Sequence, residues 1–362
     1  MGYEIDFLPV GNGDSSGDAI AVRWGTPGNY KVLIYDGGTS DSGEALVNHV
    51  RQHYQTERAD YVVSSHPDND HASGLSVVLE ELEVGELWMH RPWEYSSVIR
   101  DYFHDGRLTD ESLAERLKTK MRAAYALEEL ATEKGIPIHE PFQGSAIGPF
   151  NVLSPERDWY VHELIPGFEK SPKQKAEKST TNDILAALAE AIRMAGAWIA
   201  ETWNVELLRE DVETSSENES SVILFADFDG RGVLLTGDAG IQALNRAADF
   251  AVLYAVDLPT RLKFVQVPHH GSRHNVSTSV LNRIVGPRRL VNDGTFSKAA
   301  YVSAGKESTT HPRKMVINAF IRRGASPVAT KGWNIRHSHQ MPDRGWGPAP
   351  GLSFASQVEP WE

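Results

Sequence analysis

Two histidines and two aspartates lie within six positions of the stretch SHPDNDHASGL, residues 65–75. His66 and Asp68 alternate along a predicted extended loop, so their side chains can point to the same side and share one metal ion. Asp70 and His71 follow at the turn into a predicted helix and can bind a second ion. Neutral imidazole and ionised carboxylate are ligands that suit Zn, Mn or Fe. The alternative is a polar capping loop with exposed histidines, whereas a calcium loop is excluded because Ala72 replaces a third oxygen ligand.

Three later stretches carry residues of the same chemistry, each at the end of a predicted strand. Asp238 in VLLTGDAG is placed to bridge two ions, although a single turn aspartate is also consistent with this pattern. His269 and His270 in VPHHGS are followed by glycine, which lets the backbone come close to a ligand. Lys306 and His311 follow in SAGKESTTHP, where a histidine before proline is equally consistent with a structural role. These stretches favour a metal site over a capping loop.

The elements that position these residues are predicted from the hydrophobic pattern. The helical segments are SGEALVNHVRQHY and ASGLSVVLEELEVG, and SSVILFADFDGRGVLLTGD is predicted to form a hairpin turning at Asp229 and Gly230. The other predicted strands are YEIDFLPVG, AIAVRW, YKVLIYDGG, ADYVVSS, FNVLSP, LKFVQV and AAYVSAGK. The ligand-rich loop therefore lies between a strand end and a helix start, where open α/β sheets usually carry their chemistry.

Two longer segments interrupt this pattern. Residues 94–135 have Leu113, Leu117 and Met121 at helical spacing, and residues 183–208 show the same spacing. Residues 156–182 are polar and Lys-rich and are predicted to be a loop, and the acidic, Ser-rich REDVETSSENES is predicted to be mobile. The predicted organisation is one α/β (α+β) domain over 1–340, with helical inserts near 94–135 and 156–215, and an irregular Pro/Gly/Trp-rich tail over 341–362.

The composition limits the class of protein. The 362 residues contain no cysteine, which excludes disulfides and thiolate ligands and suits a cytoplasmic location. No run approaches the roughly 18 apolar residues of a membrane span, and the first ten residues do not have the pattern of a signal peptide. The net charge of -13 argues against a protein that coats nucleic acid with its whole surface but permits a local basic groove.

Six stretches in order resemble the metallo-β-lactamase-fold hydrolases, and most of all the soluble hydrolase domain of the ComEC competence proteins. They are FLPVGNGDS, VLIYDGG, SHPDNDHASGL, SSVILFADFDGRGVLLTGDAG, VPHHGS and VSAGKESTTHP, and they span roughly residues 3–338. The resemblance implies a four-layer αββα sandwich with two divalent metal ions, Zn or Mn, at one edge. It also implies these roles: one ion on His66 and Asp68, the other on Asp70 and His71, Asp238 bridging, and His270 as a late ligand. His269 is left open as an alternative ligand or a substrate contact.

The sequence departs from the family pattern at two points. Asp68 stands where many relatives have histidine, although some ComEC-like members have aspartate there. The usual histidine before the LLTGD hairpin has no counterpart in ENESSVIL, where only Asn218 or Ser220 could substitute weakly. One ion is therefore expected to be bound more loosely, and the oxygen-rich ligand set favours manganese over zinc.

The resemblance implies hydrolysis of a phosphodiester in DNA, RNA or a nucleotide. Asp70 is then expected to be required for cleavage, His311 or His269 to protonate the leaving oxygen, and Lys306 to contact phosphate. Two alternatives remain open: a lactone or thioester hydrolase of the same fold, and a regulatory module with a degraded metal site. The helical inserts could form a protein interface, and the basic run from Lys170 to Lys178 could either guide a polynucleotide or be a solvated face.

Overall fold

The strands of the protein form two large sheets. The computed structural model describes residues 1–13, 17–103, 106–172 and 198–361. One sheet has the order β15-β1-β2-β3-β4-β5-β6, the other β14-β13-β12-β11-β10-β8-β7, and β9 pairs with β16. The strands are β1 Gly2–Phe7, β2 Ala19–Thr26, β3 Asn29–Gly37, β4 Arg58–Val63, β5 Glu83–Trp88, β6 Ile138–His139, β7 Ala146–Ile147, β8 Phe150–Ser154, β9 Ile199–Ala200, β10 Ile223–Asp227, β11 Gly232–Leu235, β12 Leu262–Gln266, β13 Lys298–Val302, β14 Ala325–Ala329, β15 Ile335–His339 and β16 Gln357–Val358.

Seven helices of seven residues or more are found in the described ranges, together with short helical turns. The helices are α1 Ser40–His49, α2 Asn69–Glu81, α3 Asp110–Lys120, α4 Arg122–Lys134, α5 Ile241–Leu253, α6 Thr278–Ile284 and α7 Lys314–Arg322. The shorter helical segments are Val50–Tyr54, Pro92–Tyr95, Ser96–Ile99, Arg100–Tyr102, Arg157–Trp159, Tyr160–Leu164, Ile165–Gly167, Ser216–Glu219, Leu258–Arg261 and His269–Gly271. Within these described ranges, no helix is both long and apolar enough to cross a membrane.

The two sheets pack face to face, with helices on both outer surfaces. Alternate residues of β1, namely Tyr3, Ile5 and Phe7, point into a core shared with residues of the second sheet such as Leu224 and Phe264. Helix α2 packs on β3 of the first sheet, and α5 and α7 pack on β8 and β14 of the second. The arrangement confirms the predicted four-layer αββα sandwich.

Parallel strands in both sheets bring chain turns to one edge of the sandwich. Strands β3, β4 and β5 run parallel in the first sheet, as do β11, β12, β13 and β14 in the second. The carboxyl ends of β4, β11 and β12 are followed by the turns that contain His66, Asp238 and His269. The two halves of the candidate site therefore come from different sheets.

The sequence-based boundaries needed four corrections. The predicted helix through Gly85 ends at Glu81, because the half-exposed strand β5 begins two residues later and its polar residues resemble a helix surface. The segment 156–182, predicted to be a loop, is helical from Arg157 to Gly167. Tyr160, Leu164 and Ile165 are buried there, although the average composition of the segment is polar. The other two corrections concern the segments after residue 182.

In the second insert, the helix predicted over 183–208 is absent from its described part. Ile199 and Ala200 pair with β16, and the Trp203 indole donates to the Arg289 carbonyl, so the helically spaced residues pack on separate partners. Residues 183–197 lie outside the described residues, as does most of the basic run after Lys170. The segment predicted to be mobile ends in the helical turn Ser216–Glu219, because Glu219 is buried and accepts from the backbone N–H of Ala243 at the start of α5.

Candidate metal centre

Three turns converge on the carboxylate of Asp238. His66 follows β4, and His71 lies in the first turn of α2, while His269 and His270 follow β12. The distances from Asp238 Oδ2 to the Nε2 atoms are 3.3 Å for His71, 3.6 Å for His269, 3.8 Å for His66 and 3.9 Å for His270. These four predicted histidines thus surround the carboxylate of Asp238.

The other ring nitrogen of each histidine has a polar partner within the protein. His71 Nδ1 lies 3.0 Å from Asp36 Oδ2, and His66 Nδ1 lies 2.9 Å from Ser65 Oγ, which itself donates to Asp36 at 2.6 Å. His270 Nδ1 is 3.2 Å from the Ser303 carbonyl, and His269 Nδ1 is 2.8 Å from Asn275 Oδ1. The partners of His66, His71 and His270 can accept a proton from Nδ1, so in the neutral imidazole the Nε2 lone pair is left free, as in metal-binding histidines. His269 Nδ1 lies near both the Asn275 amide oxygen and the Asn218 amide nitrogen.

Buried polar atoms without partners test whether the residues fit a metal ion. His66 Nε2, His71 Nε2 and Asp238 Oδ1 are all buried and lack a hydrogen-bond partner. Leaving such atoms unpaired in the interior costs free energy, so a ligand that accepts their lone pairs stabilises the site. Imidazole nitrogens and a carboxylate are the donor set of a divalent transition metal. The residues fit the predicted ions.

The electrostatics of the centre favour positive charge. Burial alone lowers the pKa of His71, but the carboxylates of Asp238 and Asp36 outweigh burial and raise this pKa well above its usual range. His270 behaves differently, because burial lowers its pKa to about 3 and keeps the imidazole neutral at physiological pH. A centre that holds carboxylates beside a neutral imidazole has both the charge and the lone pairs that a cation requires.

Asp68 and Asp70 occupy different environments in the ligand-rich loop. The Asp70 carboxylate joins His71 and His270 in a group whose ligand atoms all lie within 4.8 Å of one another. Asp68 precedes α2, and its Oδ2 lies 3.6 Å from His66 Nε2, while its Oδ1 forms an ion pair with Lys170. Of the two aspartates, only Asp70 is in a group of this kind.

The remaining candidates lie at the periphery. The His311 ring lies almost parallel to that of His269, with centroids 6.5 Å apart. Lys306 is exposed, its stem packs beside Gly332, and among the described residues no contact joins it to the histidines. Asn218 Nδ2 lies 3.2 Å from His269 Nδ1, on the far side of that ring from Asp238, and Ser220 Oγ donates to the Glu217 carbonyl.

Sequence reasoning assigned no role to two buried aspartates beside the centre. Asp36 lies in the buried part of β3, near its end, and Asp18 joins His71 and Asp238 in a group with metal-ligand spacing. Burial raises the pKa of Asp18 to about 7; His71 opposes this rise, and Asp238 and Asp36 add to it. Asp36 had a signal in the sequence, since VLIYDGG ends an apolar strand in an acid and glycines, much as VLLTGDAG does.

Strained backbone conformations coincide with the centre. Asp36, His269 and His270 have φ angles of 57°, 45° and 55°, in the left-handed region that non-glycine residues seldom adopt. Gly271 follows at φ 79°, where a Cβ atom would lie 2.6 Å from Pro312 Cβ, so the turn requires glycine. Such strain typically occurs at functional sites, where the surrounding structure holds side chains in a required direction.

Comparisons with known proteins identify similar folds. No protein-family model matches the chain, and no curated protein matches its sequence. The solved structure of the metallo-β-lactamase-fold protein YhfI from Bacillus subtilis has 9% sequence identity and a TM-score of 0.41, over 93% of this chain and 100% of that one. A diphosphatase of the PhnP family has 12% identity and a TM-score of 0.37, over 93% and 98%.

A long form of RNase Z from yeast is similar over a smaller part of its length. Its sequence identity is 12% and its TM-score 0.35, and the match covers 83% of this chain but 36% of the enzyme. At identities of 9–12%, these similarities concern the fold and not the activities of the three proteins.

Proposed function

We propose that the protein is a metal-dependent hydrolase of the metallo-β-lactamase fold that cleaves phosphodiester bonds in nucleic acid or a nucleotide. The observation that carries the proposal is the convergence of four imidazole Nε2 atoms on Asp238, with every Nδ1 held by a polar partner. The choice of a phosphodiester rests on the sequence resemblance to the ComEC hydrolase domain. Two divalent ions, Mn or Zn, complete the proposed centre.

The ligands divide into two groups around Asp238. His66 and Asp68 would hold one ion, and Asp70, His71 and His270 would hold the other, with Asp238 as the carboxylate that faces both groups. When bound, the ions supply an activated water and stabilise negative charge on the phosphoryl oxygens. Asp36 and Ser65 orient His71 and His66, which keeps the lone pairs directed inward during the reaction.

The proton and substrate contacts come from the rim. His311 lies beside His269, and either imidazole can donate a proton to the departing oxygen. Lys306 is exposed on the loop that precedes His311, and its ammonium group is a suitable contact for a phosphate outside the metal ligands.

The test is a cleavage assay on metal-stripped and reloaded protein. The substrates are single- and double-stranded DNA, RNA, cyclic dinucleotides and a panel of lactones and thioesters, each with Mn²⁺ and with Zn²⁺. We expect phosphodiester cleavage that requires added metal and falls by more than about 100-fold in Asp70→Ala and Asp238→Ala, as loss of a metal-site residue predicts. The control Asp101→Ala removes a carboxylate that is 86% exposed and should not change the rate. Metal-replete protein that hydrolyses lactones or thioesters but no phosphodiester would refute the proposal.

A further inference from the structure

We infer that Lys170 acts as an internal cation that competes with a divalent ion for Asp68, so that the two metal positions differ in affinity. The inference rests on the proposed metal centre and concerns the position formed by His66 and Asp68. It assigns to Lys170 the role of setting the occupancy of that position.

The contacts of Asp68 place it between Lys170 and the histidines. The Lys170 ammonium forms an ion pair with Asp68 Oδ1, and the other carboxylate oxygen lies 3.6 Å from His66 Nε2. The two side chains are only 26% and 30% exposed, so water screens this pair less than a pair on the open surface. One of the two oxygens that Asp68 could offer to an ion is therefore already bound to a positive charge.

Hydrogen bonds and packing of the turn that contains Lys170 hold its backbone in place. Its backbone N–H donates to Glu217 Oε1 at 3.2 Å, and the next residue, Ser171, donates through Oγ to the Ile165 carbonyl at 2.7 Å. Phe168, two residues before the lysine, is buried with its ring centroid 6.2 Å from that of Tyr160. The turn therefore holds the base of the lysine side chain within reach of Asp68.

The charges explain why this contact opposes metal binding. A divalent ion between His66 and Asp68 would lie within a few ångströms of the ammonium group, and two positive charges at that distance repel each other. The ion can bind only if the ammonium moves away or the repulsion is tolerated. His66 is the one histidine of this position, and Asn218, which could substitute weakly for a second one, lies instead 3.2 Å from His269 Nδ1. Both features weaken this position relative to the group formed by Asp70, His71 and His270.

The test is a Mn²⁺ titration of metal-stripped protein in the absence of substrate. Calorimetry and equilibrium dialysis measure the number of bound ions and their affinities. In the wild type we expect one tight and one weaker class of ion. In Lys170→Met the weaker class should tighten by at least about tenfold while the tight class is unchanged, because a nearby like charge is removed. Lys170→Arg keeps the charge and should behave like the wild type.

Lys118→Met is a matched control. Lys118 is 24% exposed and pairs with Glu115 at 3.1 Å on α3, in the first insert, so its loss removes an ion-paired lysine of similar exposure elsewhere. Its Mn²⁺ isotherm should match that of the wild type, and circular dichroism should show that each variant is folded.

The outcomes separate the inference from the proposed function. If the wild type and Lys170→Met bind Mn²⁺ with the same two affinities, or if Lys170→Met loses the weaker ion, the inference is overturned and the metal centre stands. If none of the folded variants binds Mn²⁺ or Zn²⁺, the proposed function fails as well.

Discussion

At the scale of single residues, the centre depends on side chains that do not themselves face Asp238. Asp36 accepts hydrogen bonds from the Ser65 backbone at 2.7 Å and from the Ser65 hydroxyl at 2.6 Å, and it lies 3.0 Å from His71 Nδ1. One carboxylate therefore sets the orientation of His71 directly and that of His66 through Ser65. Asp36 also has a left-handed backbone conformation, which the surrounding contacts must stabilise.

Asp36→Asn should lower the affinity for Mn²⁺ or Zn²⁺ by about 10- to 100-fold, the usual effect of losing a partner behind a metal-binding histidine. The amide retains the shape of the carboxylate but can present an N–H to His71 Nδ1, which favours the wrong tautomer. Metal titration measures the effect. Asp60→Asn is the control, because Asp60 is a buried, ion-paired carboxylate near the start of β4. The metal affinity of the Asp60→Asn variant should equal that of the wild type. Equal affinities in Asp36→Asn and the wild type would contradict the assigned role.

The residues that face Asp238 could be predicted from the sequence, whereas most of their supporting residues, apart from Asp36, left no signal in it. Histidines and acids clustered after apolar strands are unusual enough to stand out, as in HPDNDH and VPHHGS. Ser65 and Asn275 are ordinary polar residues, and their contacts with His66 and His269 depend on backbone geometry. Lys170 lies 102 positions from Asp68, and its contact depends on how the inserted segment folds back, which no local pattern encodes.

At the scale of elements, close contacts between backbones position the ligand-rich loop. Helix α2 carries Asp70 and His71 and crosses both α1 and the end of β3 at three glycines. A Cβ atom on Gly74 would lie 2.0 Å from the Gly37 carbonyl oxygen, and one on Gly43 would lie 2.3 Å from the Gly74 carbonyl oxygen. Backbone atoms cannot move aside as a flexible side chain can, so the crossing requires glycine.

Gly74→Ala should destabilise the protein by about 1–3 kcal/mol or more, the usual cost of overpacking a close contact. Because α2 must shift, His71 moves relative to Asp238, and metal affinity should fall together with stability. Urea unfolding and metal titration of the same samples measure both effects. Gly347→Ala is the control, since no atom lies within 4 Å of its added Cβ, and its stability should change by no more than about 0.5 kcal/mol. A Gly74→Ala variant as stable as the wild type would contradict this packing.

Most elements of the sandwich follow from the sequence because their hydrophobic patterns are long and regular. The hairpin of β10 and β11 and the buried residues Leu113 and Leu117 of α3 are examples. Strand β5 was missed because its half-exposed residues continue the pattern of α2 without a turn signal. Helical spacing also failed at Trp203, because spacing alone does not distinguish a helix from separate packing contacts.

At the scale of the whole molecule, the centre joins the two sheets. His66 and His71 belong to the first sheet and its helix, whereas Asp238, His269 and His270 follow strands of the second. The chain carries a net charge of -13, so the polynucleotide substrate that we propose would have to bind through local contacts at the rim rather than through general attraction. Ions bound between the sheets would hold together parts of the chain that are far apart in sequence.

Metal binding should therefore raise the stability of the entire sandwich. Because a bound ion stabilises the folded state and not the unfolded one, metal at about 100 times its dissociation constant should add about 2.7 kcal/mol to the free energy of unfolding. Thermal unfolding of chelator-treated and Mn²⁺-loaded protein measures the difference. In Asp238→Ala the carboxylate shared by all four histidines is lost, so added Mn²⁺ should have little effect on its unfolding temperature. An unfolding temperature of the wild type that is the same with chelator and with saturating Mn²⁺ would show that the ions do not link the two sheets.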